Sequence, residues 1–274
     1  MTKIDAEIEP FVKFIQALDP WLGQVVLDGG WAHRLYRLDP RARNVTYLPL
    51  TTLDGDVTVP TKLKVEESSV RERLLQAGFK EEFVGEHRPP ATHYHYGQEG
   101  GFYLEFLTPL VGSEYDRNGK RKAAREVSGV SSQQLRYIEI LIISPWKIAL
   151  GKGNGYPFTP AKKILVANPS SFMAQKVLIH HERNYKDRAK DLLNLHDTID
   201  VFLEHLAELR RLYSKEIRPR LHARRVLELT QAGEGLFGKV NDTIRDAALM
   251  AAGRKLSAEA LAETGRAGLK EIFK

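Results

Sequence analysis

Two aspartates, Asp54 and Asp56, lie one residue apart in the stretch YLPLTTLDGDVTVP, residues 47–60, which is otherwise mainly Val, Leu, Thr and Tyr. Side chains alternate between the two faces of a strand, so residues two apart point the same way. The strand that we predict at about residues 51–59 therefore places both carboxylates on one face. Close like charges raise each other's pKa unless a positive group lies between them. The pattern is typical of a site for a hard divalent cation, usually Mg²⁺.

A third carboxylate, Glu105, lies in the otherwise apolar stretch FYLEFL, residues 102–107. Burying a carboxylate in such a strand is costly unless it is paired or bound to a metal. Glu105 is therefore the expected third ligand of a metal held by Asp54 and Asp56. The alternative is a glutamate at the rim of the sheet, near a strand end.

The strand that carries Glu105 is predicted to be the second half of a β-hairpin. Its strands are expected at residues 92–96 and 102–107, with the turn at residues 97–101. His93 and His95 share one face of the first strand. We interpret them as half-exposed residues of an edge strand, with metal ligation or phosphate contact as the alternatives.

A glycine pair precedes the aspartates, at Gly29 and Gly30, between a predicted short strand within residues 21–27 and a predicted helix. Glycines let a backbone approach a ligand closely, and the N–H groups at a helix N-terminus favour anions. The pair is thus a candidate phosphate-binding turn. An ordinary tight turn is the alternative.

The elements that must position these residues follow from hydrophobic periodicity, capping residues and breakers. The chain from residue 168 onward is predicted to be helical, with a break at residues 233–235. We expect a mixed α/β domain over residues 1–165 and a helical domain over 166–274. The other predicted elements are a helix over 4–18, a helix capped by Ser68 or Ser69 and ending at Gln76, a strand over 79–84, a basic loop over 111–128 and a hairpin of 146–150 with 163–167.

Composition sets bounds on partners and compartment. The chain has 274 residues, of which 42% are hydrophobic and 28% charged, as in ordinary globular proteins. The absence of cysteine excludes disulfides, thiolate zinc sites and cysteine nucleophiles. The net charge of +6 suits polyanions such as nucleotides or RNA, or serves solubility alone. No apolar run approaches a membrane span, and the N-terminus does not resemble a signal peptide, so we expect a cytoplasmic protein without membrane contact.

Several motifs, taken in order over about residues 25–199, resemble the nucleotidyltransferase-fold superfamily. Within it they are similar to a bacterial nucleotidyltransferase-like group related to the AbiEii and MenT-type toxins. The motifs are GGWA at 29–32, TLDGD at 52–56, Glu105, LRYIEILIISPWKI at 135–148, NPSSFMAQKVLIHHER at 168–183 and RAKDL at 188–192.

This resemblance implies an α+β fold, with a nucleotidyltransferase-like mixed β-sheet flanked by helices and followed by a C-terminal helical domain. It implies a Mg²⁺-dependent transfer of a nucleotidyl group from an NTP to a hydroxyl of an RNA such as tRNA, a protein or a small molecule. Asp54, Asp56 and Glu105 would be the catalytic residues and would hold two Mg²⁺ ions. Glu105 would also help to take the proton from the acceptor hydroxyl. Gly29 and Gly30 would bind the phosphates.

Three further residues of the NTP site are implied by the resemblance alone. Thr52 matches a Ser or Thr two residues before the first aspartate. Lys176 matches a lysine that contacts the triphosphate in the toxin relatives, and Asp191 matches an aspartate of a later helix. The chain departs from the relatives in a longer interval before Asp54 and in Asn194, where many relatives have a second acidic residue.

Two other functions are considered beside the enzyme. One is a non-catalytic nucleotide- or RNA-binding module that retains the fold. The other, compatible with catalysis, is the toxin of a toxin–antitoxin pair, with an antitoxin protein docked on the Ala-rich C-terminal helices or the basic loop. The sequence predicts no oligomeric state.

Overall fold

The computed structural model describes residues 3–84, 91–97, 101–115, 117, 119, 122, 124–251 and 253–274. It divides into two compact units. The first contains the chain up to Leu35 and Leu50–Ala167, and the second contains Tyr36–Pro49 and Asn168–Lys274. The predicted fold class, an α+β protein with a mixed sheet, flanking helices and a helical C-terminal region, is confirmed.

The first unit combines one sheet with short helices, and most of its elements lie where the sequence predicts them. The elements are α1 (Lys3–Ala17), β1 (Val26–Asp28), α2 (Gly29–Leu35), β2 (Asp54–Thr58), α3 (Val70–Gln76), β3 (Lys80–Val84), β4 (Ala91–Tyr96), β5 (Phe102–Pro109), β6 (Ala124–Val127), β7 (Val130–Leu135), α4 (Ile138–Leu141), β8 (Trp146–Leu150) and β9 (Lys162–Val166).

The described residues form one nine-stranded sheet with the strand order β3-β4-β5-β2-β1-β9-β8, and β7 pairs with both β5 and β6. Neighbouring strands are parallel in the pairs β2–β5, β1–β9 and β5–β7, and antiparallel in the other pairs. The sheet is therefore mixed. Two of its central strands, β2 and β5, carry the three predicted carboxylates, and β1 leads directly into the glycine pair at the start of α2.

The prediction of a basic loop over residues 111–128 is wrong at the C-terminal end of that range, because β6 lies there and pairs with β7. Ser128 and Gly129 connect the two strands with φ angles of 51° and 79°. Two successive residues with positive φ make the tight turn that suits the twist of a hairpin. Part of the loop, and part of the turn predicted at residues 97–101, lie outside the described residues.

Alternation along β4 and β5 separates the sheet into a buried face and a partly open face. On the buried face, Trp31 of α2 stacks on Phe11 of α1 with centroids 3.8 Å apart and meets Phe102 edge-on. Tyr94, Leu104 and Phe106 are also fully buried on this side. On the other face the side chains are half-buried, which leaves that face accessible to a ligand. They are His93, His95, Tyr103 and Glu105.

Helix α3 shows which of two candidate serines is the cap. The Ser69 hydroxyl accepts from the Glu72 N–H, and the Glu72 carboxylate accepts from the Ser69 N–H at 2.7 Å. This reciprocal capping box satisfies backbone donors that the first turn leaves unpaired.

The second unit is helical, as predicted from residue 168 onward. Asn168 caps its first helix by accepting from the Ser171 N–H at 2.9 Å, and Pro169 occupies the first helical position. The helices are α5 (Pro169–Ile179), α6 (Tyr185–Val201), α7 (Leu206–Leu212), α8 (Ala223–Phe237), α9 (Asp242–Met250) and α10 (Ala258–Ile272). No helix in the described residues is long and apolar enough to cross a membrane.

The break predicted at residues 233–235 is wrong, because α8 continues through it. Gly233 faces α10, where an added Cβ would lie 2.8 Å from the Arg266 carbonyl oxygen. The glycine therefore permits close packing of two helices, and this requirement outweighs its low helix propensity.

Residues 36–49 pack within the helical unit. Tyr36 meets Phe172 and Phe202 edge-on, with centroids 5.9 and 5.6 Å apart. The Tyr47 hydroxyl donates to Asp200 at 2.7 Å. These contacts join a segment from the middle of the first unit's sequence to the core of the second.

Candidate active site

The candidate site centres on Asp56, which lies between two other carboxylates in the sheet. Its Cα partners are Asp28 on β1 and Glu105 on β5. Residues at the same register on neighbouring strands point to the same face, and neighbouring strands lie about 4.8 Å apart. Asp54, two residues earlier on β2, shares that face and is opposite Tyr103. The register therefore places the three predicted carboxylates on one face of two adjacent strands.

Glu105 lies in the middle of β5, so it is not a rim residue at a strand end. Its side chain is 20% exposed, and Asp54 and Asp56 are also partly exposed. All three carboxylates are thus within reach of a solvent-borne cation or substrate.

Asp28 is the acidic residue of this row that sequence reasoning missed. It is 4% exposed and accepts a hydrogen bond from the hydroxyl of Thr58, which is fully buried. The antiparallel register of β1 and β2 places it beside Asp56. The signal in the sequence was its position directly before Gly29, at the end of a short strand.

The glycine pair is held against the aspartates. Gly29 has a φ of +62°, and an added Cβ would lie 2.8 Å from Asp56 Cγ and closer still to Oδ2. An added Cβ on Gly30 would lie 2.5 Å from Thr52 Oγ1, and that hydroxyl donates to the Asp54 carboxylate. Only glycine allows the start of α2 to approach β2 so closely. The predicted contact of this turn with phosphates stays a prediction.

His93 and His95 are half-buried, as predicted, but the edge-strand position is wrong. Their strand β4 pairs with β3 on one side and with β5 on the other. His93 is opposite Glu105, and its Nε2 lies 3.5 Å from Glu105 Oε1. An imidazole is therefore adjacent to the third predicted ligand.

Lys176 and Asp191 lie close together within the helical unit. Lys176 Nζ is 2.9 Å from Asp191 Oδ1, and Arg183 Nε is 3.3 Å from Oδ2. The Asp191 side chain is only 1% exposed, so two cations compensate one buried carboxylate. Burial and the neighbouring His181 lower the pKa of His180 below its usual range. Roles of Lys176 and Asp191 in binding an NTP stay predictions.

The donors at the candidate site suit a hard cation. Asp54, Asp56 and Glu105 offer only oxygen atoms, which are the ligands that Mg²⁺ prefers. In the part of the chain that the structure describes, no three acidic or histidine side chains are already gathered in a geometry that would hold a metal.

Comparison with known families identifies the family of the chain. A family model described as nucleotidyltransferase matches residues 8–218, a span that includes both the glycine pair and Asp191. No curated protein matches the chain. Because the match covers most of the sequence, the chain belongs to the nucleotidyltransferase family.

Proposed function

We propose that the protein is a Mg²⁺-dependent nucleotidyltransferase, which moves a nucleotidyl group from an NTP to an acceptor hydroxyl. Family membership supports the reaction class. The observation that carries the proposal is the register of β2 and β5, in which Glu105 is directly opposite Asp56 and Asp54 shares their face. Three oxygen-donor side chains on a partly open face, next to a glycine pair, suit a metal-bound triphosphate.

Asp54, Asp56 and Glu105 would hold the cations, and the resemblance to the superfamily suggests two of them. When bound, Mg²⁺ supplies Lewis-acid stabilisation of the phosphoryl oxygens and lowers the pKa of a bound hydroxyl. Thr52, by donating to Asp54, fixes the orientation of that carboxylate. In this proposal Thr52 acts on the NTP site by orienting Asp54.

The reaction forms one bond and breaks one bond. The acceptor oxygen bonds to the α-phosphorus of the NTP, the bond from that phosphorus to the bridging oxygen breaks, and pyrophosphate leaves. Glu105 takes the proton of the acceptor hydroxyl as general base. The N–H groups of Gly29 and Gly30 hold the phosphates. The resemblance to the superfamily further implies that Lys176 and Asp191 take part in binding the NTP.

The acceptor that we favour is RNA, with tRNA the first to be tried, because the sequence pI is about 9.3 and phosphates dominate nucleic-acid affinity. A cytoplasmic toxin countered by an antitoxin protein is the corresponding biological role. Growth arrest on induction, relieved by a neighbouring gene, would support that role. No arrest from an active wild type would refute it.

A binding module without catalysis is the second candidate. What favours it is the basic composition, with a sequence pI of about 9.3, which suits polyanion binding with or without catalysis. Such a module predicts NTP or RNA binding that does not depend on Asp54 and Asp56.

Incubation with each labelled NTP, Mg²⁺ and total tRNA separates the two candidates. Asp54→Asn and Asp56→Asn remove charge without changing side-chain shape, and we expect each to lose at least about 100-fold in transfer. Asp19→Asn is the matched control, since it removes a half-exposed carboxylate of the same unit that pairs with Lys162. Equal transfer by the wild type and all three variants, across all NTPs and acceptors, would refute the enzyme.

A further inference from the structure

Three planar side chains cluster on the open face of β4 and β5. The ring of His93 stacks on that of Tyr103 with centroids 5.0 Å apart and planes 21° apart. The ring of His95 lies 5.5 Å from Tyr103 and 6.1 Å from His93. The three rings therefore form one contiguous patch, which we call the ring patch.

The imidazoles of the ring patch have carboxylates at one edge. His93 Nε2 is 3.5 Å from Glu105 Oε1, and His95 Nε2 is 2.6 Å from Glu82 Oε2. The His93 and His95 side chains remain 19% and 27% exposed. Each Nε2 therefore lies close to a carboxylate oxygen, while part of each ring remains accessible.

The ring patch differs from the core aromatics of the same strands. Phe102 and Phe106 of β5 are 3% and 1% exposed on the opposite face. Tyr103 is only partly buried between them. Packing of the core therefore accounts for Phe102 and Phe106, whereas the ring patch lies outside that core on the partly open face.

Position relates the ring patch to the carboxylates. Tyr103 is the Cα partner of Asp54 on one side and of His95 on the other. Glu105, two residues along, is likewise flanked by Asp56 and His93. Since adjacent strands are about 4.8 Å apart, the rings begin one strand away from the aspartates.

We propose that Tyr103, His93 and His95 form a stacking platform for a nucleobase of the substrate, beside the carboxylates that act on its phosphate or hydroxyl. The proposal rests on the proposed nucleotidyl transfer. Tyr and His are among the side chains on which bases stack, and every base has a π-face, so such a platform tolerates different sequences. The base belongs either to the terminal nucleotide of an acceptor strand or to the NTP.

Paired substitutions test the platform in binding experiments. Tyr103→Ile removes the ring but keeps a strand-forming apolar residue, and Tyr103→Phe keeps the ring. Phe83→Ile is the matched control, because Phe83 is a 64% exposed aromatic residue on β3. It is opposite Thr92 and therefore lies on the other face. His95→Ile and His95→Phe form a second pair that does not depend on the folding of the Tyr103 variants.

The binding experiment has two arms, which together identify the source of the base. One arm measures a fluorescein-labelled single-stranded RNA decamer by anisotropy without NTP. The other measures each NTP with Mg²⁺ by calorimetry without acceptor. Loss of one stacked base corresponds to roughly 5- to 150-fold weaker binding. We expect this loss for Tyr103→Ile in one arm and less than about twofold for Tyr103→Phe and Phe83→Ile.

Weakening in the RNA arm assigns the platform to the acceptor, and weakening in the NTP arm assigns it to the incoming nucleotide. Unchanged binding in both arms for Tyr103→Ile and His95→Ile overturns the platform, even if Asp56→Asn abolishes transfer. A wild type that binds neither probe overturns the platform as well. Ring-dependent binding without any transfer by the wild type refutes the proposed function and leaves the platform standing.

Discussion

Substitution of Gly29 by alanine tests the contact between the glycine pair and the aspartates. At a φ of +62°, an L-residue costs about 1–2 kcal/mol relative to glycine. The added Cβ would also lie 2.8 Å from Asp56 Cγ, so the carboxylate or the start of α2 must move. We therefore expect both a loss of stability and a loss of activity.

The expected losses of stability and of rate have different causes, and each can be given a size. A loss of about 1–2 kcal/mol lowers the melting temperature by roughly 2–8 °C in a chain of this size. Displacement of a catalytic group by about 1 Å costs around 100-fold in rate. Calorimetric unfolding measures the first, and transfer from labelled NTP at saturating Mg²⁺ measures the second.

Two further variants separate strain from crowding. Gly23→Ala is the control, because no atom lies within 4 Å of an added Cβ and its φ is not positive. Gly29→Asn tolerates the left-handed backbone but still adds a Cβ, so it is expected to be more stable than Gly29→Ala and equally inactive. If Gly29→Ala matches Gly23→Ala in both melting and transfer, the close contact with Asp56 is wrong.

Three other predictions concern stability and are checked by unfolding measurements. Gly235→Ala, with open space around it, should stabilise α8 by about 0.5–1 kcal/mol, whereas Gly233→Ala should destabilise it through contact with the facing helix. Ser69→Ala should cost about 1 kcal/mol by removing the cap of α3, and Ser68→Ala should cost less than half of that. Because the folded-state pKa of His180 is lowered, its neutral form is favoured, and the free energy of unfolding should fall as the pH drops below 6.5. His180→Gln should flatten that dependence between pH 7 and 5, and an unchanged slope would contradict it.

Local patterns predicted most elements of the first unit and the start of the helical second unit. Alternation around Asp54 and Asp56 predicted β2, and the Asn168-Pro169 pair predicted the start of α5. The capping serine of α3 was narrowed to two residues, of which Ser69 is the cap. These features depend on a few neighbouring residues, which is why the sequence alone suffices for them.

Features that depend on distant partners were not predicted. Asp28 lies beside Asp56 because β1 pairs with β2. Strand β4 lies inside the sheet because β3 pairs with the edge of β4 that β5 leaves open. The glycine at residue 233 favours a helix break in isolation and close helix packing in the folded chain. Residues 36–49 join the helical unit through Tyr36 and Tyr47, whose partners lie more than a hundred residues away.

One measurement tests the central claim most directly: the fate of label from the α- and γ-phosphates of the same NTP in a single turnover. The proposed reaction predicts α-label on the acceptor, γ-label in pyrophosphate, one pyrophosphate for each transfer, and loss of all three in Asp56→Asn. Transfer of γ-label to the acceptor, or an undiminished rate in Asp56→Asn, would contradict the assignment of Asp54, Asp56 and Glu105 as a nucleotidyl-transfer centre.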